Sequence, residues 1–184
     1  LTPVLDFDGV VADTEPLHAA AYEEIIKQQI PNLTDFDFSK YIGHSEGAIY
    51  RMLNKDLGLD LTVDEHKPQR LDIFERLVFD AGLQPSSLAS QIFSIWKSIL
   101  ILSSQDEGVI SRLSSRWGFL EQCEIVRYRG RFESKFDAIP YLGEIIGSVG
   151  RNVLYVEDSA EAISLASIES FTTLYVSHSM NGPA

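Results

Sequence analysis

Two acids separated by one residue, Asp6-Phe7-Asp8, stand directly after the apolar pair Val4-Leu5 and before Gly9. A short apolar run closed by a glycine turn reads as a buried strand. In open α/β sheets, ligands bind in the crevice outside the carboxyl ends of the strands, so this pair is placed to meet one. A polar turn after a strand has the same appearance. A second acidic pair, Glu157-Asp158, follows the apolar run Val153-Leu154-Tyr155-Val156. Two unit charges ~4 Å apart repel by ~4 kcal/mol at an effective dielectric of 20, so adjacent carboxylates at a buried strand end call for a cation. Between the two pairs, Ser103-Ser104 closes the run Ile99-Leu100-Ile101-Leu102 and puts hydroxyls at a third strand end, where serine is also a common turn residue or helix cap. The chemistry such groups could share is that of a hard, oxygen-ligated cation such as Mg²⁺.

The elements that must carry these groups alternate between strands and helices. Residues 18 to 30 place Ala21, Tyr22, Ile25, Ile26 and Ile30 on one helical face, stopped by Pro31-Asn32. A second helix over residues 48 to 57 ends at Gly58. A third has Leu71, Phe74, Leu77, Val78 and Ala81 on one face before Gly82. Its start is either the capping-box-like Thr62-Val63-Asp64-Glu65 or the neighbourhood of Pro68. With no strand pattern between them, these three helices read as a small bundle inserted after the first strand. Pro85-Ser86-Ser87 ends the insert, and a helix through Leu88, Ile92, Phe93, Ile95 and Trp96 leads back to the strand at residues 99 to 102. A helix through Val109, Ile110, Leu113 and Trp117, a short strand over residues 124 to 127, and strands over residues 153 to 156 and 173 to 176 complete the chain. The fold class expected is α/β, a doubly wound parallel sheet with a small all-helical insert. A second Asp-Phe-Asp at residues 35 to 37 follows a Pro-Asn-Leu-Thr loop instead of a strand and reads as a loop or helix-start cluster.

The stretch Asp6-Phe7-Asp8-Gly9-Val10-Val11-Ala12-Asp13-Thr14-Glu15 resembles motif I of the haloacid dehalogenase (HAD) superfamily, in the form found in β-phosphoglucomutase-like and phosphoglycolate-phosphatase-like members. That resemblance implies a HAD core over residues 1–15 and 84–184, and a helical cap over 16–83 that closes over the site and selects the substrate. It makes Asp6 the nucleophile and Asp8 the general acid and base. A second aspartate argues for phosphoryl chemistry, since dehalogenases need no acid to protonate an alkoxide. Ser103 falls at motif II, to hydrogen-bond a phosphoryl oxygen, with the backbone N–H of Ser104 as a further donor. Lys135 falls at motif III, although Phe136 follows it where many relatives have proline, which leaves Arg129 and Arg131 as substitutes. Glu157 and Asp158 form motif IV and, with Asp6 and the Asp8 carbonyl, a Mg²⁺ site. His18, Gly43, His44 and Arg70 fall where relatives carry substrate-facing groups. Ser170 stands where the subfamily has a glycine that turns the chain into the last strand. The implied reaction is Mg²⁺-dependent hydrolysis of a small phosphorylated metabolite through an aspartyl-phosphate. Glu46, an anion after Gly43-His44-Ser45, disfavours the mutase alternative, in which a second phosphate would need a cation there.

Composition bounds the alternatives. At 184 residues and 45% hydrophobic, the chain can bury a core for one domain and a small insert. A net charge of −12 does not favour nucleic acid or anionic membranes as partners. No apolar run approaches the ~18 residues of a membrane span. The single Cys123 and a start without basic residues lead us to expect a cytoplasmic protein, and the acidic surface a monomer. The short run before Asp6 leads us to expect a few further native residues ahead of Leu1. Response-regulator receivers combine an acidic pair, Mg²⁺, a hydroxyl and a lysine, but they are shorter, lack a helical insert and carry the accepting aspartate on a middle strand of the chain. A noncatalytic binding protein is a third alternative.

Overall fold

The first strand of the chain lies at the middle of the sheet. In the computed structural model, which describes residues 1–34, 36–42, 44–128, 131–147 and 152–177, β1 (Thr2–Leu5) pairs in parallel with β2 (Ile99–Ile101) on one side and β4 (Val153–Glu157) on the other. β3 (Cys123–Ile125) and β5 (Thr172–Tyr175) form the edges, giving the order β3-β2-β1-β4-β5, parallel throughout. Val4, Leu5, Ile99 and Ile101 are buried, because strands covered on both faces are apolar without alternation.

Parallel neighbours require crossovers, and helices supply them. Here α4 (Ser87–Ile95) leads into β2, α5 (Glu107–Arg116) joins β2 to β3, and α8 (Ala160–Ile168) joins β4 to β5. The short α6 (Lys135–Ala138) and α7 (Leu142–Ile145) lie between β3 and β4. Strand order reverses between β1 and β4, which makes the gap beyond their carboxyl ends the switch point of the sheet. This is the expected doubly wound α/β architecture.

Packing divides the chain into two compact units: Leu1–Asp13 with Gln84–Ala184, and Thr14–Leu83. In the first, Tyr155, Leu102, Ile139, Leu142 and Ala162 are among the residues that build a core on one face of the sheet. Ser86 fastens the return of the chain: its N–H donates to the Val11 carbonyl (2.8 Å), its hydroxyl donates to the Val10 carbonyl (2.7 Å), and the same oxygen accepts the Ala89 N–H (3.0 Å). Ser170 has φ +62°, the left-handed conformation that a glycine would adopt without a Cβ penalty.

The second unit is helical: α1 (Glu15–Gln29), α2 (Glu46–Leu57) and α3 (Val63–Asp80). Tyr22, Ile25, Ile26, Phe38, Tyr41 and Leu53 are among the residues that form its core. Gly58 closes α2 in the left-handed conformation. α3 starts at Val63 and carries Pro68 inside it. The capping box suggested by Thr62 and Glu65 is absent, since the Thr62 side chain makes no cap hydrogen bond. The ring of His66 takes the reciprocal role, with the Thr62 N–H donating to Nδ1 at 3.1 Å. The buried stripe of α3 is His66, Arg70, Phe74 and Val78. The stripe expected from Leu71 and Leu77 is displaced because paired polar groups occupy the inner face.

Candidate active site

The parallel register brings the two acidic pairs together. Leu5 is opposite Val156, and the Asp6 N–H donates to the Val156 carbonyl at 2.9 Å, so Asp6 leaves β1 beside Glu157 leaving β4. On the other side the Leu102 N–H donates to the Leu5 carbonyl at 3.0 Å, which sets Ser103 next in line. After Asp6 the backbone turns tightly. Gly9 has φ +75° and donates to the Ala12 carbonyl at 2.8 Å, while the N–H groups of Val11 and Ala12 both donate to the Phe7 carbonyl. Val10, Val11 and Ala12 are buried, so the loop is anchored on apolar side chains.

Lys135 is the cation of this cluster. Ser134 and Asp137 form a reciprocal capping box that starts α6 at Lys135. From there Nζ reaches Asp6 Oδ2 at 2.5 Å and Glu157 Oε2 at 3.0 Å. All three side chains are buried, with Asp6 4% and Glu157 0% exposed. Glu157 is held by many donors: the Tyr155 hydroxyl at 2.8 Å to Oε2, and the Asp158 and Ser159 N–H groups at 3.1 Å each to Oε1. With Lys135 added, these occupy the roughly four lone-pair positions of a carboxylate, so Glu157 anchors the lysine and the start of the following loop. Asp6, Glu157 and Asp158 each have an oxygen within 4.8 Å of the others; with Glu157 taken up by those donors, the carboxylates of Asp6 and Asp158 are the hard donors that fit Mg²⁺.

Burial raises the Asp6 pKa, Lys135 lowers it, and the nearby carboxylates of Glu157 and Asp8 raise it again, leaving it at about 7. For Lys135, burial favours the neutral form, but the attraction of Asp6 and Glu157 outweighs it and the pKa is raised. Burial, with the charges of Glu157 and Asp6, also raises the Tyr155 pKa, so its hydroxyl stays a donor. Lys135 contacts both buried carboxylates, and Asp8 and Asp158 bring further carboxylates to the same place.

Asp8 takes part through Gln105, whose Nε2 donates to its carboxylate at 3.0 Å to Oδ1 and 3.3 Å to Oδ2. The Gln105 N–H donates to the hydroxyl of the buried Ser103 at 3.2 Å. Ser104 is exposed.

Residues 4–169 match the haloacid dehalogenase-like hydrolase family. The chain belongs to this family. Among solved structures it is similar to CbbY from Rhodobacter sphaeroides in complex with phosphate, at 13% identity and TM-score 0.81, covering 100% of this chain and 88% of that one. It is also similar to a proposed phosphoglycolate phosphatase from Lactobacillus plantarum, at 14% identity and TM-score 0.72, covering 95% and 85%. A third is the proposed HAD-hydrolase YfnB from Bacillus subtilis bound to magnesium, at 14% identity and TM-score 0.69, covering 95% and 87%. No curated protein matches the sequence.

His18, His44 and Arg70, also singled out by the HAD resemblance, are in the helical unit. His18 stacks on Phe74 with ring centroids 3.9 Å apart, and its Nδ1 is 3.3 Å from Arg70 Nη1. Arg70 is buried, and its Nε donates to Glu46 Oε1 at 2.9 Å while Lys67 pairs with Glu46 Oε2 at 2.9 Å. Glu46 is thus an anion neutralised by two cations, which removes the sequence argument that it repels a second phosphate. His44 is exposed. Gly43 and Arg129 lie outside the described residues, as does Asp35 of the second Asp-Phe-Asp. Arg131 pairs with Glu144 at 2.9 Å, and of the two described basic residues considered for motif III it is Lys135 that touches Asp6. Sequence reasoning missed Tyr155 and Gln105. Tyr155 was legible in principle, since residues two apart on a strand share a face and Glu157 is two residues on.

Proposed function

We propose that this HAD-family chain is a Mg²⁺-dependent phosphatase that hydrolyses a small phosphorylated metabolite through an aspartyl-phosphate. The observation that carries the reading is the convergence of Asp6, Lys135, Glu157 and Asp158 at the ends of β1 and β4. Asp6 and Asp158 are assigned as carboxylate ligands, with the Asp8 carbonyl as a further one and Glu157 in support. When bound, Mg²⁺ lowers the repulsion between Asp6 and an anionic ester and stabilises charge on the transferred phosphoryl group.

The chain's own residues then act in two steps. A carboxylate oxygen of Asp6 forms a bond to phosphorus as the bond to the ester oxygen breaks, and the departing oxygen takes its proton from Asp8. Ser103 and Lys135 hold the phosphoryl oxygens. In the second step water attacks phosphorus, its proton goes to Asp8, and the bond from phosphorus to Asp6 breaks. The helical unit is assigned the role of cap, with Arg70, His18 and His44 as its candidate substrate-binding groups and Gly43 as part of its loop. The neutralised Glu46 keeps a phosphoglucomutase-like transfer as the second reading, because Arg70 and Lys67 supply cations in that unit. The lone free cysteine supports a cytoplasmic setting.

Release of phosphate from p-nitrophenyl phosphate tests the proposal. Turnover is expected in the parent with Mg²⁺, none with a chelator, and none in Asp6→Asn. Activity that survives Asp6→Asn would remove the nucleophile assignment.

A further inference from the structure

Gln105 is a buried polar side chain for which the phosphatase reading provides no task. It is 5% exposed. Its Oε1 accepts the Asp106 N–H at 2.9 Å. A backbone N–H can only donate, so this bond fixes which end of the amide is oxygen and turns Nε2, which can only donate, toward Asp8. Nε2 spans both carboxylate oxygens, at 3.0 and 3.3 Å. The terminal torsion of an aspartate is broad and has no strong well of its own, so a donor shared between its oxygens constrains the plane of the group. Whether Asp8 is ionised or protonated, one of its oxygens can still accept from Nε2.

Resting on the phosphatase reading, we propose that Gln105 is a positioning residue that aims the Asp8 carboxyl at the oxygen of the departing alcohol. As the phosphorus–oxygen ester bond breaks, its electron pair goes to that oxygen, which takes the Asp8 proton, while an Asp6 oxygen bonds to phosphorus. A good leaving group needs little of this proton and a poor one depends on it. General acid catalysis contributes roughly 10²- to 10⁴-fold, so loss of aim should appear as a dependence on the leaving group.

The test compares p-nitrophenyl phosphate with phenyl phosphate, whose leaving phenol has a pKa like that of tyrosine, about 10. The readout is kcat/KM, which covers the steps up to departure of the alcohol and leaves out the phosphoenzyme hydrolysis common to both esters. Two variants are used. Gln105→Glu keeps an acceptor for Asp106 and loses the donor to Asp8, while Gln105→Leu keeps bulk and loses both. The ratio of kcat/KM for p-nitrophenyl over phenyl phosphate is expected to rise on the order of 10- to 100-fold over the parent in both variants. This ratio does not depend on the folded fraction, so partial misfolding leaves it readable. An unchanged ratio, whether activity falls equally on both esters or does not fall, would overturn the positioning role while the phosphatase reading stands. A parent that hydrolyses neither ester would overturn both.

Discussion

Replacing Lys135 by methionine removes the positive charge that contacts both Asp6 and Glu157, and the consequence can be sized. At an effective dielectric of 20, contacts of 2.5 and 3.0 Å correspond to gross attractions of about 7 and about 6 kcal/mol. Burial of the ammonium opposes most of that, and breaking a buried pair by removing one partner typically costs about 3–5 kcal/mol. The variant has a way to reduce its loss, because Asp6 can stay protonated. In the parent, the Asp6 pKa is raised from 3.8 to about 7. Between those values the folded state holds a proton that the unfolded state has released, so this group's contribution to stability falls as pH rises across the window. Without Lys135, which lowers the Asp6 pKa, the window extends further upward. Lys135 itself remains charged throughout, since its own pKa is raised from 10.5. At pH 5 Asp6 is protonated in both proteins; at pH 8 only the parent gains from ionising it, by about 1.4 kcal/mol for one pH unit. Urea unfolding without metal should therefore show Lys135→Met destabilised by about 3–5 kcal/mol at pH 8 and by roughly 1–2 kcal/mol less at pH 5. A loss below about 1 kcal/mol at pH 8, or an equal loss at both pH values, would refute this account.

Two further outcomes follow from the same geometry. Mg²⁺ should raise the melting temperature of the parent, by the equivalent of about 2.7 kcal/mol at a hundred times its dissociation constant. Because the ion needs Asp6 ionised, the shift should be larger at pH 8 than at pH 5 and nearly vanish in Asp158→Asn, all read by differential scanning fluorimetry. Ser170→Gly should stabilise the protein by about 1 kcal/mol in chemical unfolding with catalytic rates unchanged, since the left-handed conformation at this position costs a residue with a Cβ roughly 1–2 kcal/mol.

The parts of the fold that were legible in the sequence are those whose cause is local. Val4-Leu5, Ile99–Leu102 and Val153–Val156 read as strands because they are short, apolar and closed by turn or polar residues, and in the fold they are the three central strands. The parts that were not legible depend on partners far along the chain. Arg70 sits in the buried stripe of α3 because Glu46, twenty-four residues earlier, neutralises it. His66 occupies the same stripe and replaces a capping box whose residues are all present, which no pattern in the first turn predicts. Gln105 looks like an ordinary loop residue until the fold sets Asp8, ninety-seven residues away in the chain, against its amide.

The central position of β1 also affects how the chain is made. Its neighbours on either side are β2, which starts at residue 99, and β4, which starts at residue 153. A ribosome therefore releases this strand before its sheet neighbours, and its second neighbour about 150 residues later, a delay of roughly 8 to 30 seconds at 5–20 residues per second. During that interval the edge of Val4 and Leu5 that pairs with β4 in the finished sheet has no strand partner. The strand that carries Asp6 thus waits longest for its second neighbour, and translation must run past Glu157 before the cluster around Lys135 can exist.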